Sequence, residues 1–476
     1  MKILENYKGI NGTNPIFTQH YGADPYAMVF EDTVYFYMTA DQYEYDEKGE
    51  IKENSYSKIK SLYVVSTKDM VNFEDHGEIT VACDAAAKWA ANSWAPAAAW
   101  KMIDGKPKFF IYFADNGGGI GVLSSDSPIG PFTDPLGHGL IRRDMENCGN
   151  VEWLFDPAVL VDDDGSAYIY FGGGVPAGKA SAPGTGRVAK LGADMISLDC
   201  VPVAIDIPYL FEDSGIHKFG NKYYYTYCSN FSVDEEGTKK YGMKNGEICV
   251  MESDSPMGPF AYKEVILENP GDYCGLYGNN HHCVFSFKDK WYITYHSRSL
   301  EKAKGVRHGY RVTHIDEFTM NADGSIGKIK QTFEGRKQLM NVNPYIWQSA
   351  VNMSSQNGCY PVPADEVSKE FGCGHMILSK MEEGGFIEIQ GVDFGDKSPA
   401  EFMVDVKKDA DCALKFEIYV DDVNSDSVAV VDASLAKADV FETVSAPIKK
   451  SVTGVHNVII AFTEGKDSEF KAWMVK

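Results

Sequence analysis

The stretch FDPAVLVDDDGSAYIYFGGG, Phe155–Gly174, decides how the rest of the chain is read. It opens on an aromatic and then a carboxylate followed by proline, Asp156-Pro157. A short apolar run leads to an Asp-Gly pair at Asp164-Gly165, and an aromatic run, Tyr168–Phe171, leads away from it. Asp-Gly between two such runs marks a β-hairpin, because the turn needs residues that tolerate positive φ. One hairpin fits many folds. The weight comes from its return at DPYAMVFEDTVYFYMT from Asp24, WAPAAAWKMIDGKPKFFIYFA from Trp94, EDSGIHKFGNKYYYTYC from Glu212 and HHCVFSFKDKWYITYHS from His281. Each copy has the same order: a polar or special residue, a short strand, a turn, an aromatic strand.

The copies lie roughly 55 to 70 residues apart, somewhat more than the kelch period of about 50. That spacing holds about four short strands, so five copies predict a five-bladed β-propeller. A second repeat agrees: SDSPIGPF at Ser125–Phe132 returns as SDSPMGPF at Ser253–Phe260, on the outer strands of two blades. The cassette does not return after Phe333. Residues 1–337 are therefore expected to form the propeller and 338–345 a linker. Residues 346–476 show alternating strands such as Phe402–Asp405 and Val458–Phe462, the pattern of a β-sandwich (jelly-roll) domain. The whole is expected to be all-β.

With 476 residues the chain is long enough for two or three domains. It carries 45 basic against 68 acidic residues, a formal net charge of −23. That balance argues against nucleic acid and against anionic membranes as partners, and fits a neutral one such as a sugar. No apolar run is long enough to span a bilayer, and MKILENYKGINGTNPIF lacks the apolar core of a signal peptide. The ten cysteines show no C-x-x-C pair, and several sit in strand-like runs. Reduced, buried thiols and a cytoplasmic setting follow, or an exported chain whose leader has been removed.

In a propeller the inner strands begin near the central channel on one face, so the residues opening the cassettes should converge. These are Asp24, Trp94-Ala95, Asp156, Glu212 and His281. Three carboxylates brought together repel one another, and at least one should have a raised pKa. For any one acid alone, capping a turn is the better reading; for three at matching repeat positions it is not. Three acids beside an aromatic wall, with no nucleophile–base pair, suggest glycoside hydrolysis. His281 and His282 fit either a metal ligand or a satisfied polar cluster, and no zinc-ligand spacing surrounds them.

On these motifs the chain resembles glycoside hydrolase family 43. The carriers are GADPYA around Asp24, SWAPA around Trp94, WLFDPAVLVDDDG around Asp156, FEDSGIHK around Glu212, GNNHHCVF around His281, and GYR ending at Arg311. The resemblance implies an inverting enzyme with Asp24 as general base, Asp156 as pKa modulator and Glu212 as general acid. It implies His281 as ligand of a calcium ion otherwise held mainly by water. Trp94 is expected in the apolar wall of the sugar pocket, with plain core the competing reading, and Asn280 and Arg311 close enough to bond sugar hydroxyls or Asp156. Within the family the chain looks most like arabinoxylan arabinofuranohydrolases, through the D-x-Y-E-Y segment Asp41–Tyr45 and FFIYFADNGGGIGVL. That implies arabinoxylan-derived oligosaccharides as substrate, with removal of α-L-arabinofuranosyl branches. A β-xylosidase remains open within the same chemistry, and a non-catalytic sugar-binding propeller outside it. The C-terminal part resembles carbohydrate-binding module family 6 in its framework, GGFIEIQGVDFG and TGVHNVIIAF. Phe386 departs from the tryptophan many of those modules carry, and Trp473 could be core. The module is expected to brace the propeller rather than capture sugar.

Overall fold

The computed structural model describes residues 2–8, 12–409 and 412–476. The fold is all-β. Among the described residues the longest helix is Glu235–Tyr241, and all ten cysteines are free thiols. The chain divides into two compact units. One comprises His20–Val64 and Glu78–Gly335. The other comprises Arg336–Lys476 with the segment up to Gln19 and with Val65–Gly77.

The larger unit is built on consecutive antiparallel sheets, each a meander in chain order. Their first strands are Tyr21–Phe30, Trp94–Ile103, Ala158–Val161, Leu210–Phe219 and His282–Phe287. Each first strand touches the first strand of the next sheet, and the fifth touches the first, so the five inner strands form a cycle of neighbours. Aromatic second strands such as Lys222–Ser229 are buried on both faces, which explains their dense, non-alternating pattern.

The hairpin at Phe155–Gly174 pairs Ala158–Val161 with Ala167–Tyr170. Asp162 N–H donates to Ser166 O, which leaves Asp163–Gly165 as a three-residue loop, one longer than a two-residue turn, and Gly165 takes φ 80°. The two SDSP copies have the same job. In each, the leading serine Oγ accepts the N–H two residues on: Ser125 from Ser127 (3.1 Å) and Ser253 from Ser255 (3.0 Å). The proline carbonyl of each accepts a tyrosine hydroxyl from the preceding sheet, Tyr37 on Pro128 (2.6 Å) and Tyr170 on Pro256 (2.7 Å). The repeat therefore marks a pin between neighbouring sheets.

In the smaller unit two antiparallel sheets share one core. One follows the order Tyr360–Pro363, Met376–Ser379, Glu469–Val475, Glu401–Lys407, Glu442–Pro447. The other runs Ser355–Asn357, Gly385–Asp393, Val455–Phe462, Lys415–Val420, Ala429–Asp432. Phe402, Val404, Phe470 and Trp473 from the first meet Ile387, Phe416, Ile460 and Phe462 from the second. Trp473 is fully buried and stacks on Phe402 with ring centroids 5.5 Å apart. Phe386 is also buried, against Tyr419, Ile459 and Ala461. Both aromatics are thus packing residues. Trp473→Ala should destabilise this unit by about 3–5 kcal/mol, as for other buried aromatics cut to alanine, read as a lower urea midpoint of its unfolding transition. An unchanged midpoint would contradict this placement of Trp473.

Candidate active site

Four of the five inner strands carry the same irregularity near their start. Two residues of the inner strand oppose one of its partner between Ala23 and Tyr26, between Trp94 and Ala97, and between Glu212 and Gly215. The third sheet does likewise between Phe155, whose carbonyl accepts Gly172 N–H, and Ala158. These are β-bulges, which re-aim a side chain and end regular pairing. At each, one residue has positive φ: Asp24 (48°), Ala95 (37°), Asp156 (48°) and Asp213 (69°). Aspartate tolerates that region better than most residues. The proline following Asp24, Ala95 and Asp156 cannot donate to a ladder, which suits a position where pairing lapses.

The bulges turn side chains into one cavity of about 390 Å³, within the roughly 300–1,000 Å³ usual for small-molecule sites. Asp24, Trp94, Ala95, Asp156, Glu212, His281 and Arg311 all line it. The structure thus brings together every residue that opens a cassette. Trp94 contributes its ring face while its Nε1–H donates to Tyr56 O (3.1 Å).

Asn280 does not join them. Its amide donates to the carbonyls of Gly246 (3.0 Å) and Glu268 (3.3 Å), facing away from the cavity, and its neighbour Asn279 lines the wall instead. In extended chain, residues two apart share a face, so Asn279 goes with His281 and Asn280 with His282. That alternation was the available signal. Arg311 reaches Asp24 and Asp41 rather than Asp156: Nη1 donates to Asp24 Oδ1 (2.8 Å). The sequence reading also missed Tyr56, Trp153, Phe155 and Phe211, which form the rest of the aromatic wall.

The three carboxyls are in different electrostatic states. Burial alone would push Asp24 up. The Arg311 guanidinium outweighs it, with His281 and His296, and holds Asp24 well below the usual carboxylate range. Glu212 is pushed up to about 8, by burial first and then by the charge of Asp24. Its Oε1 is buried with no hydrogen-bond partner among the described residues. Asp156 lies well above its ordinary value, from burial and then from the neighbouring carboxyls of Glu212 and Asp24. Near neutral pH an ionised Asp24 thus stands beside a Glu212 that keeps its proton. That is an acid and a base in one pocket.

Asp213, overlooked in the sequence, takes the backbone position that Asp24 and Asp156 hold in their own sheets. Its N–H donates to Asp156 Oδ2 (2.9 Å), and its carboxyl bonds the Nδ1 side of His282. His281 Nε2 lies 3.2 Å from Asp213 Oδ1, and its Nδ1 faces Asp24 and Asp156 at 3.6 and 3.8 Å. Burial pulls His281 down to about 3, so it is a neutral imidazole with one nitrogen able to ligate. Among the described residues no three His, Cys, Asp or Glu side chains form a ready cage for a metal. What these residues offer an ion is one imidazole nitrogen, and water would have to fill the rest of its shell.

Comparison with known proteins agrees with this chemistry. The family model for glycosyl hydrolases family 43 matches residues 12–326. An arabinoxylan arabinofuranohydrolase of Paenibacillus polymyxa is 42% identical over 95% of this chain and 72% of its own length. One of Bacillus subtilis is 41% identical over 96% of this chain and 90% of its own. The crystal structure of a family 43 arabinoxylan arabinofuranohydrolase from Bacillus subtilis, in complex with cellotetraose, superposes with a TM-score of 0.92 at 39% identity, covering 99% of both chains.

The charge arrangement can be checked without substrate. Asp24→Asn removes the negative charge that helps raise Glu212, so the Glu212 carboxyl should titrate below about 8, toward its ordinary value. Carboxyl-carbon NMR titration of both proteins reads this directly. An unmoved Glu212 midpoint would mean that Asp24 does not act on it.

Proposed function

This chain belongs to glycosyl hydrolase family 43 and is a glycoside hydrolase, and from that premise we propose that it removes α-L-arabinofuranosyl side chains from arabinoxylan or its oligosaccharides with inversion of configuration. The observation that carries the reading is the charge asymmetry of the cavity, with Asp24 ionised beside a Glu212 that keeps its proton. The cycle of inner strands supports a five-bladed β-propeller with this cavity at one mouth, and the paired sheets of the smaller unit support a β-sandwich.

In the proposed mechanism the furanose ring enters among Trp94, Tyr56, Trp153 and Phe211, which line the cavity. Their apolar faces exclude water from all but the reacting side. Glu212 donates its proton to the glycosidic oxygen as the bond to the anomeric carbon breaks. Asp24 takes a proton from a water on the opposite face, and that water's oxygen forms the new bond. Asp156 serves as the modulator of this pair, itself held by the Asp213 N–H, while burial and the charge of Asp24 keep the proton on Glu212. No covalent sugar–enzyme bond forms, so the product anomer is inverted.

His281 would be the protein ligand of a hydrated calcium ion, whose charge would steady the surrounding carboxylates. Prolonged chelation should remove about one equivalent of calcium by elemental analysis and lower thermal stability. Absence of any divalent metal in the purified protein, with stability untouched by chelator, would contradict that role.

Substrate choice is tested by nitrophenol release from 4-nitrophenyl α-L-arabinofuranoside against the β-D-xyloside, with product analysis on arabinoxylo-oligosaccharides. Free arabinose and the faster arabinofuranoside rate are expected. Xylose release without arabinose would replace this reading by a β-xylosidase. Release of neither sugar would overturn the substrate assignment.

A further inference from the structure

The D-Q-Y-E-Y segment has no part in the mechanism above, yet it encloses the one arginine of the cavity. Asp41 ends the second strand of the first sheet, and Arg311 stands just before the third strand of the fifth, Val312–Phe318. The Asp41 carboxylate is fully buried and accepts three bonds from Arg311. Nε donates to Oδ2 (2.9 Å), Nη2 to Oδ1 (2.9 Å), and the backbone N–H to Oδ2 (3.0 Å). This is the forked two-point pairing for which guanidinium and carboxylate are matched. The Tyr56 ring covers the guanidinium, with Cζ 5.0 Å from its centroid. Tyr43 packs edge-on against Tyr310, centroids 4.9 Å apart, and Glu44 N–H donates to the Tyr310 hydroxyl (2.7 Å). The segment thus wraps both Tyr310 and Arg311.

A fork fixed along one edge leaves the guanidinium little freedom to turn. Nη1, off that edge, points at Asp24 Oδ1 at 2.8 Å. An arginine held by a single carboxylate contact could swing, and an ångström of misplacement at a reacting group is costly.

We propose that Asp41 is a positioning residue for hydrolysis: by locking Arg311 through the fork, it fixes the Asp24 carboxylate where the attacking water must be deprotonated. It is fully buried and is not among the residues that line the cavity. This rests on the functional reading given above. The competing role is a seam between the first and fifth sheets that supports the fold alone. The two differ in what Asp41 is coupled to.

Asp41→Asn keeps the shape but places an amide N–H₂ against one guanidinium nitrogen and removes the charge. With 4-nitrophenyl α-L-arabinofuranoside it should lower kcat about ten- to hundredfold, the size usual for supporting residues, with KM nearly unchanged. The decisive readout is a double-mutant cycle. In an Asp24→Ala background, Asp41→Asn should cost less than about twofold, because the group it positions is gone. In a Glu212→Ala background the full loss should persist. Equal losses in both backgrounds would overturn the proposal, since a fold-supporting role does not distinguish base from acid.

If Asp41→Asn fails to fold, the lock on which the proposal depends is still tested on the wild-type chain. Nitrogen-15 NMR of the Arg311 side chain, assigned with Arg311→Lys, should show separate, slowly exchanging Nη resonances. Collapsed resonances from a freely turning guanidinium would overturn the clamp. Should the wild type hydrolyse neither the arabinofuranoside nor the xyloside, the functional reading fails by itself, and the same spectrum still judges the lock.

Discussion

The site depends on how three carboxyl groups are buried together beside one permanent cation. Removing carboxylates from water is expensive, and like charges side by side make it more so. The cavity resolves this by unequal treatment. Of the three, Arg311 hydrogen-bonds Asp24 alone and keeps it ionised, while burial and neighbouring charge push Glu212 up to about 8 and Asp156 well above its ordinary value. The uneven placement of one guanidinium therefore sets Asp24 apart from the other two acids. Asp41 pairs with the same guanidinium from behind, so one cation is shared by two buried carboxylates.

The same backbone device supplies these side chains from different sheets. A one-residue bulge with positive φ interrupts the inner strand at Asp24, Ala95, Asp156 and Asp213. Holding a non-glycine residue there costs energy, and such strain collects at functional sites. The four copies do not carry four acids into the cavity. In the second sheet the bulge holds Ala95, and the preceding Trp94 contributes a wall. In the fourth, Asp213 occupies the bulge and turns to His282, while the preceding Glu212 faces the cavity. The same backbone device thus presents different side chains to the cavity: Asp24, Trp94, Asp156 and Glu212.

Much of this was legible, because the repeated cassette imposes a local pattern that burial makes visible. The acids at Asp24 and Asp156, the tryptophan at Trp94 and the histidine at His281 all follow from where each copy begins. Where the reading failed, the missing information was not local. Glu212 looks like the counterpart of Asp24, but it stands one residue earlier on its bulge, and only strand register reveals that. Asn280 was preferred to Asn279 although alternation pairs Asn279 with His281. Tyr56 and Asp41 lie far along the chain from the residues they serve, and nothing nearby in sequence points to Arg311. In the smaller unit, alternation was enough to find strands such as Glu401–Lys407, but not that the segment up to Gln19 and Val65–Gly77 belong with them.

The central claim is that Glu212 gives a proton to the leaving oxygen and Asp24 takes one from water. Leaving-group dependence of the two alanine variants tests it most directly. Glu212→Ala should fall by about 10²–10⁴ on a xylan hydroxyl leaving group and far less on a nitrophenolate, which needs little protonation. Asp24→Ala should fall by similar factors on both, since water must be activated whatever departs. The opposite result, with the leaving-group dependence in Asp24→Ala and a uniform loss in Glu212→Ala, would contradict the assignment and exchange the two roles.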